Sequence, residues 1–158
     1  MVKIYTLGNE SIWNFLNESN SGFDTADVKK ELQECMQNYF GVFRRGEFMK
    51  QGLDQLKDLK EKVDNLHLID KSDAFNTNRV EAIELQNLLE VAEATAISAM
   101  LRTESRGAHT RLDYPEYDGE LGKINMIIRP SPEGMSVVRA PLIQMPSDLK
   151  DYVLQEAI

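Results

Sequence analysis

The chain has almost no cysteine. Cys35 is the only one in 158 residues, so no disulfide framework holds the fold and no iron–sulfur cluster, which takes several thiolates, can be carried. Set in an apolar helical pattern, Cys35 reads as a small buried hydrophobe, and a cytosolic, reducing compartment fits. Histidine is scarce too. His67 and His109 stand far apart without a ligand-spaced partner, which argues against a metal site. No apolar run approaches the ~18 residues that cross a bilayer, and the N-terminus lacks a signal-peptide pattern. No G-x-G-x-x-G follows a strand, so no dinucleotide fold can be read. Nothing resembles a nucleophile with an adjacent base. Positive charge is the minority, 18 Lys and Arg against 26 Asp and Glu, for a net −8. An acidic chain with no basic stripe argues against nucleic acid and anionic lipid as partners.

What is present is helical periodicity. Asp24 or Thr25 caps a first helix over about 25–43, with Asp27 suited to the dipole of its first turn. Val28, Leu32, Cys35, Met36, Tyr39, Phe40 and Phe43 form its buried stripe. A second helix, 47–66, carries Met49, Leu53, Leu56, Leu59 or Lys60, Val63 and Leu66 on one face and a solvated charged face opposite. There Asp54 repels Asp58, and Asp58 with Lys62 helps by a few tenths of a kcal/mol at most. The third helix, 77–106, follows the cap candidates Asn76 and Thr77, with Phe75 placed to staple it. It is apolar almost all the way round, from Val80 to Leu101, which predicts a central helix packed on several sides. Ala92, Ala94, Ala96, Ser98 and Ala99 let another backbone come close.

The fold class is therefore mainly α: an up-down three-helix bundle followed by a small β-hairpin extension. The hairpin is read from alternating Ile124, Met126 and Ile128, a turn at Ser131-Pro132-Glu133-Gly134, and a return strand from Met135 to Arg139. A short helix starting at Ser147 closes the chain. Three regions result: a connecting segment 1–24, with a short helix around Ile12, Trp13, Phe15 and Leu16; the bundle 25–118; and the hairpin and tail 119–158.

Past Leu101 the character changes. Arg102, Glu104, Arg106, His109, Arg111 and Asp113 crowd together, with Gly107 placed to end the helix. Arginine forks match carboxylates, and a histidine can move a proton near neutral pH, so these types suit a dicarboxylate pocket. They equally suit a helix C-terminus, where arginines complement exposed carbonyls and Arg and Glu neutralise one another.

The string RTESRGAHTRLDYPEYD (102–118) resembles a signature late in the flavoprotein subunits of succinate dehydrogenase and fumarate reductase, with L-aspartate oxidase a close relative. KELQECMQNYFGVFR (30–44), GLDQLKDLK (52–60) and SDAFNTNRVEAIELQNLLEVAEATAISA (72–99) agree in order and spacing. The likeness covers roughly residues 26–118 and matches only the helical domain at the C-terminal end of those subunits. Asp118 is followed by Gly119-Glu120-Leu121-Gly122, without the histidine many members carry there.

The resemblance implies a complete subunit that binds FAD and interconverts succinate and fumarate, passing electrons to an iron–sulfur partner subunit and on to quinone. It implies a cytoplasmic protein, membrane-associated through its partners. The family's dicarboxylate-binding, catalytic and flavin-linking residues lie in domains not represented here. The expectation is thus no catalytic, cofactor-binding or metal residue in this chain and no activity from it alone. Arg102, Glu104, Arg106, His109, Arg111 and Asp113 become an ordered joint against the flavin-binding domain. The alternative is a stand-alone helical adaptor docking a protein partner through residues 102–113.

Overall fold

The computed structural model describes residues 21–72, 74–132, 134–147 and 149. Three helices follow in chain order: α1 (Thr25–Phe40), α2 (Gly46–Val63) and α3 (Thr77–Leu101). Asp24 opens α1 from extended backbone, its carboxylate accepting the N–H of Ala26 at 2.8 Å and of Asp27 at 3.3 Å. Asn76 does the same for α3 through the N–H of Arg79 at 2.8 Å. The helices pack mutually, so the bundle and its trailing hairpin are as the hydrophobic spacing predicts.

The core is one apolar cluster. Val28, Leu32, Cys35 and Phe40 of α1 meet Met49, Leu56, Leu59 and Val63 of α2, and α3 adds Ala82, Leu85, Leu89, Ala92, Ala96 and Ala99. Each fully buried Leu or Met contributes about 1.5–3 kcal/mol. Leu59, not Lys60, is the buried member of the α2 stripe. Lys60 instead reaches Glu93 of α3 at 2.9 Å, and Lys62 pairs with Glu31 of α1 at 2.6 Å rather than with Asp58. Close approach of α1 and α2 depends on Gly52, where a Cβ would stand 2.5 Å from the Phe40 ring and 2.6 Å from Tyr39 Cβ.

Two short parallel strands, β1 (Phe43–Arg44) and β2 (Thr110–Arg111), tie the α1–α2 turn to the segment after α3, with Phe43 opposite Thr110 and Arg44 opposite Arg111. A 3-10 turn (Leu121–Lys123) leads into the antiparallel hairpin β3 (Ile124–Ser131) and β4 (Gly134–Pro141), in register from Ile124 with Pro141 to Ser131 with Gly134. The expected helices near Trp13 and from Ser147 lie wholly or largely outside the described residues.

Several expectations need correction. Helix α1 stops at Phe40, so Phe43 falls on β1 and is 74% exposed instead of closing the buried stripe. Helix α2 stops at Val63. Leu66 and Leu68 are nevertheless fully buried, because Phe23 pairs its backbone with Asn65 and His67 and folds the connection onto the core. Phe75 is no staple: it is fully exposed, at φ +56°. Helix α3 ends at Leu101, not 106, and Gly107 sits at φ +56° in a turn between the bridged residues Arg106 and His109. Nor is α3 surrounded. Its partners cover one stripe and leave Val80, Leu88, Val91 and Leu101 exposed, because two helices can shield only one side of a third.

Candidate functional site

The charged residues predicted to act together do come together, but around a helix end that lies earlier than expected. Helix α3 leaves carbonyls without intrahelical partners at its C-terminus, as every helix does. Arg111 answers them from outside the helix. Its Nη1 donates to the carbonyls of Arg102 (3.1 Å), Met100 (3.2 Å) and Ala99 (3.4 Å). The other edge of the same guanidinium forks onto Asp113, Nε to Oδ1 and Nη2 to Oδ2, both at 2.8 Å. Asp113 Oδ2 in turn accepts the N–H of Gly46 at 2.9 Å, capping α2, whose own cap residue Arg45 contributes no side-chain bond. One ion pair thus closes the end of one helix and the start of another. Arg111 holds the Asp113 carboxyl far below the usual carboxylate range.

A second pair lies beside it. Glu104 is completely buried. It accepts from Arg102, from Arg106 Nε (3.1 Å) and Nη2 (3.2 Å), and from the N–H of Asp118 (3.0 Å). Burial alone would push the Glu104 carboxyl up. The bonds from Arg106, Asp118 and Arg102 outweigh it, and the group stays ionised below its ordinary range. Arg102 also donates to the carbonyls of Leu121 and Ile124, each at 3.1 Å, which seats the start of β3. Arg106 stacks over Tyr117 with its guanidinium carbon 4.0 Å from the ring centroid.

His109 joins this cluster to the first turn of the bundle. Nε2 donates to the Arg102 carbonyl at 3.0 Å, and Nδ1 accepts from Arg44 Nη1 at 2.6 Å. Those partners fix a neutral ring, Nε2 protonated. Burial lowers its pKa first, and the neighbouring Arg44, Arg111 and Arg102 lower it further. Arg44 itself spans the end of α1, donating to the carbonyls of Gly41 (2.7 Å) and Phe40 (2.9 and 3.2 Å).

Arg44 is the member that sequence reasoning missed. Its place here depends on parallel pairing between β1 and β2, strands of two residues that carry no periodic signal. Within 102–113 all six predicted residues are used, and their bonds are largely internal. Arg111 and Glu104 are buried by their own domain, whereas Arg102, Arg106 and Asp113 keep 20%, 34% and 35% of their side-chain surface.

Beside the cluster lies a shallow, open groove of about 450 Å³. Val91, Ala94, Thr95, Ser98 and Ala99 of α3 line it with Ile128 of β3, and Arg44, Arg102 and His109 close one end. It does not fit a flavin. No glycine-rich phosphate loop borders it, and it is shallow and open rather than enclosing. Among the described residues no cluster of His, Cys, Asp and Glu is placed to hold a metal ion, and no helix is long and apolar enough to cross a membrane.

Bundle, paired loop and hairpin define a class: a helical domain whose exit from the third helix is tied down by arginine. A family model described as "Fumarate reductase flavoprotein C-term" matches residues 29–145. The chain belongs to that family. It is 50% identical over 99 residues to the succinate dehydrogenase flavoprotein subunit of Coxiella burnetii, covering 63% of this chain and 17% of the relative. The Sdh1 complex of Mycobacterium smegmatis in its apo form contains a chain that superposes with a TM-score of 0.80 at 29% identity, across 89% of this chain and 24% of that one. Escherichia coli quinol fumarate reductase gives 0.79 at 31% identity, across 87% and 24%. The chain therefore spans about a sixth of that curated relative and a quarter of the solved chains.

Proposed function

We propose that this chain is the C-terminal helical domain of an FAD-containing subunit that interconverts succinate and fumarate. The complete subunit passes electrons to an iron–sulfur partner subunit and on to quinone, and its membrane association comes from its partners. The domain itself carries no active site. It supports the flavin-binding domain through a contact built on Arg102, Glu104, Arg106, His109, Arg111 and Asp113. The observation that carries this reading is the match over residues 29–145 to the C-terminal family of such flavoproteins. Support also comes from Val80, Leu88, Val91 and Leu101, apolar residues of α3 that their own chain leaves exposed.

In this reading the cluster acts as a rigid seat. Its hydrogen bonds are made within the domain, so the surface offered to a neighbour is set before contact and little ordering entropy remains to be lost on docking. At Arg106 and Arg111 the same internal pairing argues against substrate contact, because a dicarboxylate would have to displace Glu104 or Asp113 from the forks they already hold.

Two measurements test the proposal. The purified chain is expected to retain no flavin absorbance and to show no succinate-dependent dye reduction; a yellow preparation or turnover refutes the assignment of roles. The coding frame upstream of Met1 is expected to run on without interruption into a glycine-rich nucleotide motif. A stop codon followed by a ribosome-binding site would instead support the adaptor that docks a protein partner through 102–113.

A further inference from the structure

The groove beside the cluster has a sign. Its charged lining is Arg44 and Arg102, with the neutral His109 between them and no carboxylate. Around it four guanidiniums, those of Arg44, Arg102, Arg106 and Arg111, meet only two carboxylates, Glu104 and Asp113. The surplus is local and runs against the chain as a whole, whose net charge is −8. Arg44 is the uncompensated member, since its partners are the carbonyls of Phe40 and Gly41 and the ring of His109. A guanidinium has five N–H donors, so Arg44 and Arg102 each retain donor capacity beyond the bonds they make. The rest of the lining is apolar or small: Val91, 66% exposed, with Ala94, Ala99 and Ile128.

We propose that this groove receives a segment of the flavin-bearing portion of the same subunit, one that presents a carboxylate between apolar side chains. The proposal rests on the domain reading above and adds the chemistry of the occupant. The carboxylate sits at the Arg44–Arg102 end and forks onto a guanidinium. The flanking apolar groups cover Val91 and Ile128. Charge complementarity of this kind selects the partner and its register more than it sets the affinity.

Thr95 supplies the test. It lies exposed on the groove wall in mid-helix, its hydroxyl donating only to the Val91 carbonyl at 2.7 Å, so replacing it leaves the cluster and the core intact. In the complete subunit, a protease site inserted at positions 17–20 allows the covalent link to be cut, and the rate at which the two portions separate is measured. Thr95→Glu brings like charge against the incoming carboxylate and is expected to speed separation about tenfold, whereas Thr95→Lys leaves it unchanged or slows it. Equal acceleration by both variants means the groove is covered by something without a carboxylate. That overturns this inference while the domain contact stands. If neither variant changes the rate, nothing covers the groove and the inference falls. If the unsubstituted portions separate as soon as they are cut, the domain contact itself falls.

Discussion

Replacing Arg111 by alanine should be the most damaging single change available in the loop after α3. The side chain is 3% exposed and holds three carbonyls at the end of α3 together with both oxygens of Asp113. The Ala99 and Met100 carbonyls lose their donor while that of Arg102 keeps His109, and at about 1–3 kcal/mol for each unsatisfied buried acceptor the two cost about 2–6 kcal/mol together. Asp113 adds little, since it keeps the Gly46 N–H and is open to water. Arg111→Lys keeps the charge but cannot fork onto Asp113 while reaching the helix end, so about half the loss remains, ~2 kcal/mol. Against a total stability of roughly 5–15 kcal/mol, the alanine variant should be close to unfolding and the lysine variant clearly folded. Urea unfolding followed by circular dichroism measures both. If alanine costs under about 1 kcal/mol, or lysine matches arginine, the guanidinium is not what closes these helices and the account of the cluster is wrong.

Three further outcomes follow from other parts of the domain. His109 is held neutral with its pKa lowered by burial and by three arginines, so the unfolded chain takes up a proton at higher pH than the folded one. Stability should be fully present above the unfolded value of about 6.5 and fall as the pH drops below it, and His109→Gln should flatten that slope in pH-dependent unfolding. Gly52→Ala forces a methyl against Phe40 and Tyr39 and should cost about 1–3 kcal/mol, read as a lower urea midpoint at unchanged slope. The Cys35 thiol, pushed up to about 11 by burial, should resist a thiol reagent at pH 8 until denaturant is added. Rapid labelling of the native chain would show that α1 does not pack as described.

The three helices were legible because each carries a local signal strong enough to survive without tertiary knowledge. Asp24 and Asn76 cap as their types suggest, and the spacing of Val28, Leu32 and Cys35, or of Met49, Leu56 and Val63, repeats the helical period. The hairpin was equally plain from alternation and the turn residues Ser131-Pro132-Glu133-Gly134. The end of α3 was misjudged because Arg102 to Arg106 has no helix breaker until Gly107, and the true terminator, Arg111, bonds back from beyond the turn. Phe75 and Phe43 failed for the opposite reason. Phe43 extends the helical spacing but follows the end of α1, and Phe75 stands where a staple would but is turned outward by its φ of +56°.

The amino-acid order alone determined the class of fold, the buried stripes of the first two helices apart from Phe43, and which residues would carry charge near the end of the third helix. It did so because periodicity and capping act over one or two turns, a range within which neighbours in sequence are neighbours in space. Only the tertiary structure decided what those charges hold. Arg44 reaches His109, and Asp113 reaches Gly46, through contacts between segments some 65 positions apart. No local pattern encodes such pairings. They exist because the packed helices bring helix ends with unmet donors and acceptors to the same place.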